Sequence, residues 1–511
     1  MGHNTSDEAG ESQWSKGGDG LKRAGSRQLA LAFADSPSGD RGRIAQDESW
    51  GKRYLLHTAK ANNRKDPATS TTAAVSERTM ESVASAANLA QALLNVLRNK
   101  GASGVDGQSV EEVAEKAPNL LPKLQTALLQ GTYQPGEIRR VWIPKPGGGQ
   151  RGLGIPNVVD RWVQQAVLQI LEPIFEPIFH PSSHGFRPNR GAHTAIAEAK
   201  EHLKEGYRVV VDLDLSKFFD RVHHQRLLNR LKQQVHDSRI LDLVKRMLTA
   251  KVVMPDGTKV ATAQGTPQGG PLSPLLSNVV LDEWDQELGR RGLRFVRYAD
   301  DCNIFVRSER AGQRVMESTR RFLERKLRLQ INEEKSSVTC PEKVHFLGFR
   351  FRMQGSNRVE VMLSAKTQAK LLTKVRELTP RSWGQSLRAC FEELSEYFRG
   401  WMGHFRICTE EGATEFRRYD AHLRRRLRAI IIHQKKKARF LYRHLVKRGA
   451  TPRQAAGTAY SRRGIWHRSN RRGINAAYPN TWFATQWTSL CDLWCIVNPP
   501  AEVSDQLRLA F

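Results

Sequence analysis

The chain has little cysteine: six in 511 residues, Cys302, Cys340, Cys390, Cys408, Cys491 and Cys495, with no CxxC pair among them. That scarcity argues against a disulfide scaffold or a zinc knuckle, and it makes a reducing compartment the default. No run approaches the roughly 18 apolar residues that a membrane span needs, so no membrane partner is expected. The opening "MGHNTS" fits a lipidation pattern too short to mean more than chance. Acidic residues are also in deficit, with Asp plus Glu at 52 against Lys plus Arg at 81, a formal charge of +29. So large an excess favours a polyanionic partner, because each phosphate neutralised releases condensed counterions. Internal repeats are lacking too.

At this length the chain has room for about two to four domains of roughly 150 residues. Residues 1–80 are rich in Gly, Ser, Thr, Asp and Lys with little apolar periodicity, and they read as a flexible extension. Order is expected from Leu89, Leu93, Val96 and Leu97, which repeat at helical spacing and stop at "KGASGVDG". Strand-like stretches such as "RVVVDLDL", "LRFVRY" and "HFLGFRF" then alternate with helical ones up to about residue 360.

From Ser364, an N-cap candidate, the pattern is helical. Leu371, Val375 and Leu378 share one face of a segment that Pro380 stops, and Leu387, Phe391, Leu394, Phe398 and Trp401 share a face of the next. The third, "RRYDAHLRRRLRAIIIHQKKKARFLYRHLVKR", aligns Leu423, Leu427, Ile430 and Ile431 and crowds its other positions with Arg and Lys. It reads as one amphipathic helix with a cationic face turned to a nucleic-acid backbone. The Trp- and Arg-rich stretch after it serves either small-core packing or base stacking.

In "RYADDCNIFV" two carboxylates, Asp300 and Asp301, stand at the tip of an expected buried hairpin. Adjacent carboxylates repel unless a cation neutralises them, and hard oxygen ligands suit Mg²⁺. Four letters alone fit an exposed acidic turn as well. In "VVVDLDLSKFFD", Asp214 follows a β-branched run at a strand end, where it could converge with the pair into a two-metal phosphoryl-transfer site. Asp212 and Asp220 read as structural.

"YADD" and "DLSKFFD" resemble the two catalytic motifs of reverse transcriptases. "VWIPKPGGGQRGLGIP", "HGFRPNRGAH", "GTPQGGPLSPLLSNVVLDEWD", "LRLQINEEKS" and "FLGFRF" follow the block order of the group II intron reverse transcriptases. "LSEYFRGWMGHFRI" and "YDAHLRRRLR" are similar to that family's maturase X region. The resemblance spans roughly residues 81–490. It implies an α+β right-hand polymerase, the reverse-transcriptase fold. Fingers and palm would occupy residues 81–360, a helical thumb or maturase X domain 361–450, and a basic, Trp-rich segment 451–511. It also implies an RNA-directed DNA polymerase that binds group II intron RNA, assists its splicing and copies it at a primed DNA target from dNTPs, in a bacterial cytoplasm or nucleoid. The family's paired-cysteine HNH endonuclease has no counterpart here, and Ser103 stands where the family usually has proline. Second-strand DNA cleavage is therefore not expected.

By resemblance, Asp214, Asp300 and Asp301, with the carbonyl of Leu215, would hold two Mg²⁺ ions, and small Ala299 would leave space beneath the primer terminus. Lys145 and Arg151 would fold over the triphosphate, Phe219 would gate the sugar 2′ position, and Gln268 and Lys335 would meet the nucleotide. Arg187 would steady the template side, although for Arg187 and Lys335 alike a surface salt bridge is the other reading. Arg406, Arg424, Arg425 and Arg428 would contact RNA, and His404 would do so too or would equally be packed.

Overall fold

The computed structural model describes residues 79–144, 148–355, 358–380 and 382–499. The expected extension over 1–80 falls almost wholly outside the described residues, as do Lys145 and residues 500–511. Ten described strands follow in chain order: β1 (Ile138–Pro144), β2 (Gln150–Ile155), β3 (Val209–Asp214), β4 (Val252–Val253), β5 (Lys259–Val260), β6 (Arg294–Tyr298), β7 (Asp301–Val306), β8 (Ser337–Thr339), β9 (Phe349–Gln354) and β10 (Arg358–Leu363). They form three sheets, ordered β2-β1-β4-β5, β6-β7-β3-β8 and β10-β9.

The second sheet is antiparallel throughout and lies between two cores. Side chains alternate across a strand, so β3 sends Val211 and Leu213 to one core and Val210 to the other. β7 does the same with Cys302 and Ile304 against Phe305. The first core gathers the N-terminal helices, including Val158–Phe175 and Ser273–Arg290. Trp162, fully buried there, donates its indole N–H to the Leu89 carbonyl at 2.7 Å. The second core holds Ala192–Lys204, the β9–β10 hairpin and the C-terminal helices.

Caps fall where side-chain chemistry places them: Ser85 and Ser364 each accept a backbone N–H three residues on. Leu378 ends the helix begun at Ala365, and Phe391, Leu394 and Phe398 are buried in Leu387–Phe405. The expected single cationic helix is instead two, Glu410–Gln434 and Ala438–Lys447, broken at Lys435–Lys437. Three successive ammonium groups with no acid among them oppose continuation of one helix there. No described helix is long and apolar enough to cross a membrane.

Candidate active site

β6 and β7 are joined by a two-residue turn, with Tyr298 paired to Asp301 and only Ala299 and Asp300 between them. Ala299 has φ 57, a left-handed conformation usually left to glycine at the first position of such a turn. Asp301 stands directly across from Asp214 of β3. The register thus brings the strand-end carboxylate beside the doubled aspartate.

A buried framework holds the strained turn. Arg297, on β6, points inward with no exposure and meets the equally buried Asp285, with Nη2 to Oδ2 at 2.5 Å. Its Nη1 donates to the Ala299 carbonyl at 2.8 Å and to Asn278 Oδ1 at 3.1 Å, and its Nη2 to Ser183 Oγ at 2.6 Å. Asn278 Nδ2 in turn donates to the Gly185 carbonyl at 2.9 Å. A Cβ on Gly185 would sit 2.4 Å from the Ala299 nitrogen, so the "HGF" loop lies against the turn only as glycine. Sequence reasoning missed Arg297, Asp285, Asn278 and Ser183. The available signal was an arginine at an inward position of a β-alternation otherwise filled by apolar residues. Phe186 was also missed: it is exposed, at φ 59, with its ring 6.4 Å from that of Tyr298.

The segment carrying Lys335 wraps Asp214. Leu215 bridges Ile331, and the Asp214 carbonyl receives the Asn332 N–H at 2.8 Å. The carboxylate receives Asn332 Nδ2 at 3.1 Å and Lys335 Nζ at 3.0 Å. Lys335 therefore lies on an acid of the site rather than reaching outward. Leu215 has its side chain buried.

Burial first, then the charges of Asp300, Asp214 and Asp212, opposed by Lys335, push the Asp301 carboxyl up to about 7. Burial, then Asp214, likewise pushes Asp212 up to about 7. Asp300 is raised mainly by burial, while Arg151 of β2 opposes through its charge. Asp220 is exposed. Among the described residues, no three His, Cys, Asp or Glu side chains are already drawn into a metal-holding cluster. Asp214 takes the lysine as its partner. The donor set, hard carboxylate oxygens whose protonation is raised by burial and mutual repulsion, nevertheless fits a divalent cation.

The "GTPQGG" loop docks on the segment after β3: Thr266 N–H donates to the Phe219 carbonyl and Gly265 N–H to that of Val222, both at 2.7 Å. Phe218 is buried, whereas Phe219 is half-buried with its ring 5.2 Å away. The Gln268 carbonyl receives the Gly154 N–H at 2.8 Å, tying the loop to β2. Gly269, at φ 134, has no room for a Cβ, which would lie 2.4 Å from the Gly154 carbonyl.

Several expected contacts are corrected. All five guanidinium donors of buried Arg187 are taken, by the Glu176 carboxylate and carbonyl and by the carbonyls of His180 and Ser183, leaving none for a template. His404 packs against Phe349 and Phe405, its Nε2 meets the Leu347 carbonyl at 3.0 Å, and its own carbonyl meets His193 Nε2 at 2.8 Å. Arg428 is 7% exposed and clamps the Tyr478 carbonyl and Asn480. Arg406 is exposed, and Arg424 and Arg425 are half-buried at a cavity. Arg428→Ala is expected to lower the thermal midpoint, because an unpaired buried carbonyl costs about 1–3 kcal/mol. Arg424→Ala should melt close to wild type, and equal losses would contradict this division. The tryptophans beyond residue 460 mostly pack: Trp487 is buried and Trp494 donates to the Cys408 carbonyl.

Residues 143–351 match the family model described as reverse transcriptase (RNA-dependent DNA polymerase), and residues 368–449 match that of the group II intron, maturase-specific domain. The chain is 34% identical to protein YkfC of Escherichia coli (strain K12) over 337 residues, covering 58% of this chain and 88% of YkfC. It is 30% identical to the group II intron-encoded protein LtrA of Lactococcus lactis subsp. cremoris over 334 residues, covering 52% of this chain and 55% of LtrA. It thus spans about half of LtrA's length. A solved structure of telomerase from Candida albicans is similar at a TM-score of 0.37 and 14% identity, over 70% of this chain and 72% of that one.

Proposed function

The chain belongs to the group II intron reverse transcriptases and maturases, and from that premise we propose that it copies RNA into DNA with its own carboxylate site. In this reading it binds the intron's RNA, assists splicing, and extends a primer at a DNA target. The observation that carries the polymerase part is the strand register that seats Asp214 opposite Asp301, beneath the turn bearing Asp300.

Asp214, Asp300, Asp301 and the Leu215 carbonyl would hold two Mg²⁺ ions. When bound, these supply the charge that eases ionisation of the primer 3′ hydroxyl and departure of pyrophosphate. Arg151, whose charge already reaches Asp300, meets the triphosphate, with Lys145 beside it. Lys335, exposed along most of its length, exchanges Asp214 for a nucleotide phosphate. Gln268 and its glycines bring backbone close to the nucleotide, and Phe219 stands by the sugar. The bound duplex lies against the thumb helices, where Arg406, Arg424 and Arg425 give RNA its counter-charge. The deciding experiment is incubation of purified protein with a DNA primer annealed to RNA, Mg²⁺ and dNTPs. Extension that stops on chelation is expected. Salt-sensitive intron-RNA binding without any extension would instead make the chain a splicing factor alone.

Ionisation of Asp212 and Asp301 is resisted by the fold, since both sit near 7 against an ordinary value of 3.8. Stability associated with their protonated forms is present near pH 4 and is lost as pH rises through about 7. Mg²⁺ binds the ionised form, so millimolar Mg²⁺ should raise the thermal midpoint far more at pH 8 than at pH 5, and Asp301→Asn should shrink that difference. A Mg²⁺ effect independent of pH and of Asp301 would remove these carboxyls from the ion's binding.

A further inference from the structure

Beside the helix Glu410–Gln434 a cavity of about 590 Å³ opens, large enough for a small ligand. One wall is that helix's His422, Arg424, Arg425 and Arg428; the other includes Asn470, Asn475 and Asn480. No acid lines it. Asp420, whose charge interacts with that of Arg424, is buried, and its two oxygens receive the Leu490 and Cys491 N–H groups. The Arg425 guanidinium lies 4.0 Å from the Trp466 ring centroid and donates to the Trp466 carbonyl at 3.0 Å, so the stack is fixed in place.

Three polar atoms of this lining are buried without a hydrogen-bond partner: Arg425 Nε, His422 Nε2 and Asn475 Oδ1. Atoms so enclosed stay unsatisfied until their side chains turn toward the cavity. Arg428 feels the crowding, since burial and then the charge of Arg424 bring it down to about 10. An anion would relieve that repulsion, while side-chain amides match the donor and acceptor edges of a base. A solvated cationic face explains the arginines but not their enclosure with three asparagines. The asparagine wall also lies beyond residues 143–351 and 368–449, the stretches matched to family models.

We infer that this pocket receives one extruded nucleotide of a folded RNA, its phosphate between Arg424 and Arg425 and its base edge against Asn470 and Asn475. The inference rests on the RNA-binding reading above and specifies what RNA feature is bound. Unpaired bases that leave a helix are the part of RNA that side chains read, because the paired major groove is too narrow to enter.

The test uses the full chain and two fluorescent RNA hairpins with equal numbers of phosphates, one fully paired and one carrying a single unpaired nucleotide. Binding is followed by anisotropy across a salt series, and thermal melts confirm that each variant is folded. The bulged hairpin should bind about tenfold tighter. Asn475→Leu should erase that preference and keep the salt slope, whereas Arg424→Ala should also make the slope shallower by about one phosphate. Equal binding of the two hairpins by wild type, or a preference that survives Asn475→Leu, overturns the pocket while leaving general RNA binding intact. Competition by free AMP as strong as by the bulged RNA overturns it in favour of a small nucleotide. Failure of both hairpins to bind at low salt overturns the RNA-binding reading as well.

Discussion

Replacing Asp300 and Asp301 together by alanine should lower primer extension on RNA by roughly three orders of magnitude or more, while leaving RNA affinity nearly unchanged. The size follows from what the pair supplies: charge stabilisation in a partly dry site is worth several kcal/mol, and each 1.36 kcal/mol is about tenfold in rate. Asp214 alone, tied to Lys335 and Asn332, offers too little negative charge to replace them. RNA affinity should persist because Arg424 and Arg425 line a cavity that includes none of the three aspartates. The loss should be at least as complete in Asp214→Ala, since that residue faces Asp301 in the sheet register. Single-turnover extension with saturating dNTP is the measurement, paired with RNA anisotropy on the same preparations. Extension within tenfold of wild type in the double variant would move the chemistry elsewhere.

The second large effect concerns Arg297, a positioning residue that touches no reactant. Arg297→Met alone would leave Asp285 with no exposure and no counter-charge, a loss of about 3–5 kcal/mol against a total stability of about 5–15 kcal/mol. Burial pushes the Asp285 carboxyl upward and Arg297 opposes it, so the stranded acid would take up a proton to escape the penalty. Arg297→Met with Asp285→Leu removes both charges and should regain most of the thermal midpoint, because apolar side chains of similar size often replace buried pairs without loss. Activity should not return with it. The Ala299 carbonyl loses its 2.8 Å donor, and the left-handed residue that sets Asp300 and Asp301 is freed. A shift of about 1 Å in such groups costs on the order of a hundredfold. The drop should fall on kcat, with dNTP KM nearly constant. A double variant that is stable and fully active would reduce the pair to architecture.

Much of this was legible in the sequence, for a physical reason. "VVVDLDL" and "LRFVRY" follow the pleat period of two, so the side on which each residue falls is implied by spacing alone, and the ends of those runs carry the acids. The helix cap at Ser364 is a local fact of the same kind. Arg187 and Arg428 were misread because an arginine's charge is visible in a sequence while its partner is not. Glu176 and the Tyr478 carbonyl are supplied only by the fold. The break at Lys435–Lys437 was hidden by apolar periodicity that continues in Leu441 and Leu445 on its far side. Trp466 and the asparagines facing Arg425 belong to a segment with no strong period, and only the tertiary packing sets them against the long helix.

Lys335 Nζ, resting 3.0 Å from Asp214, has a consequence for the protein's life before it meets any substrate. A nascent chain must close its central sheet around acids that repel one another, and the ammonium acts as a stand-in that lets it do so without waiting for ions. Because most of that side chain remains in water, the stand-in is loosely held and can be displaced, and the place it vacates is then already lined by the carboxylate that a divalent cation would need.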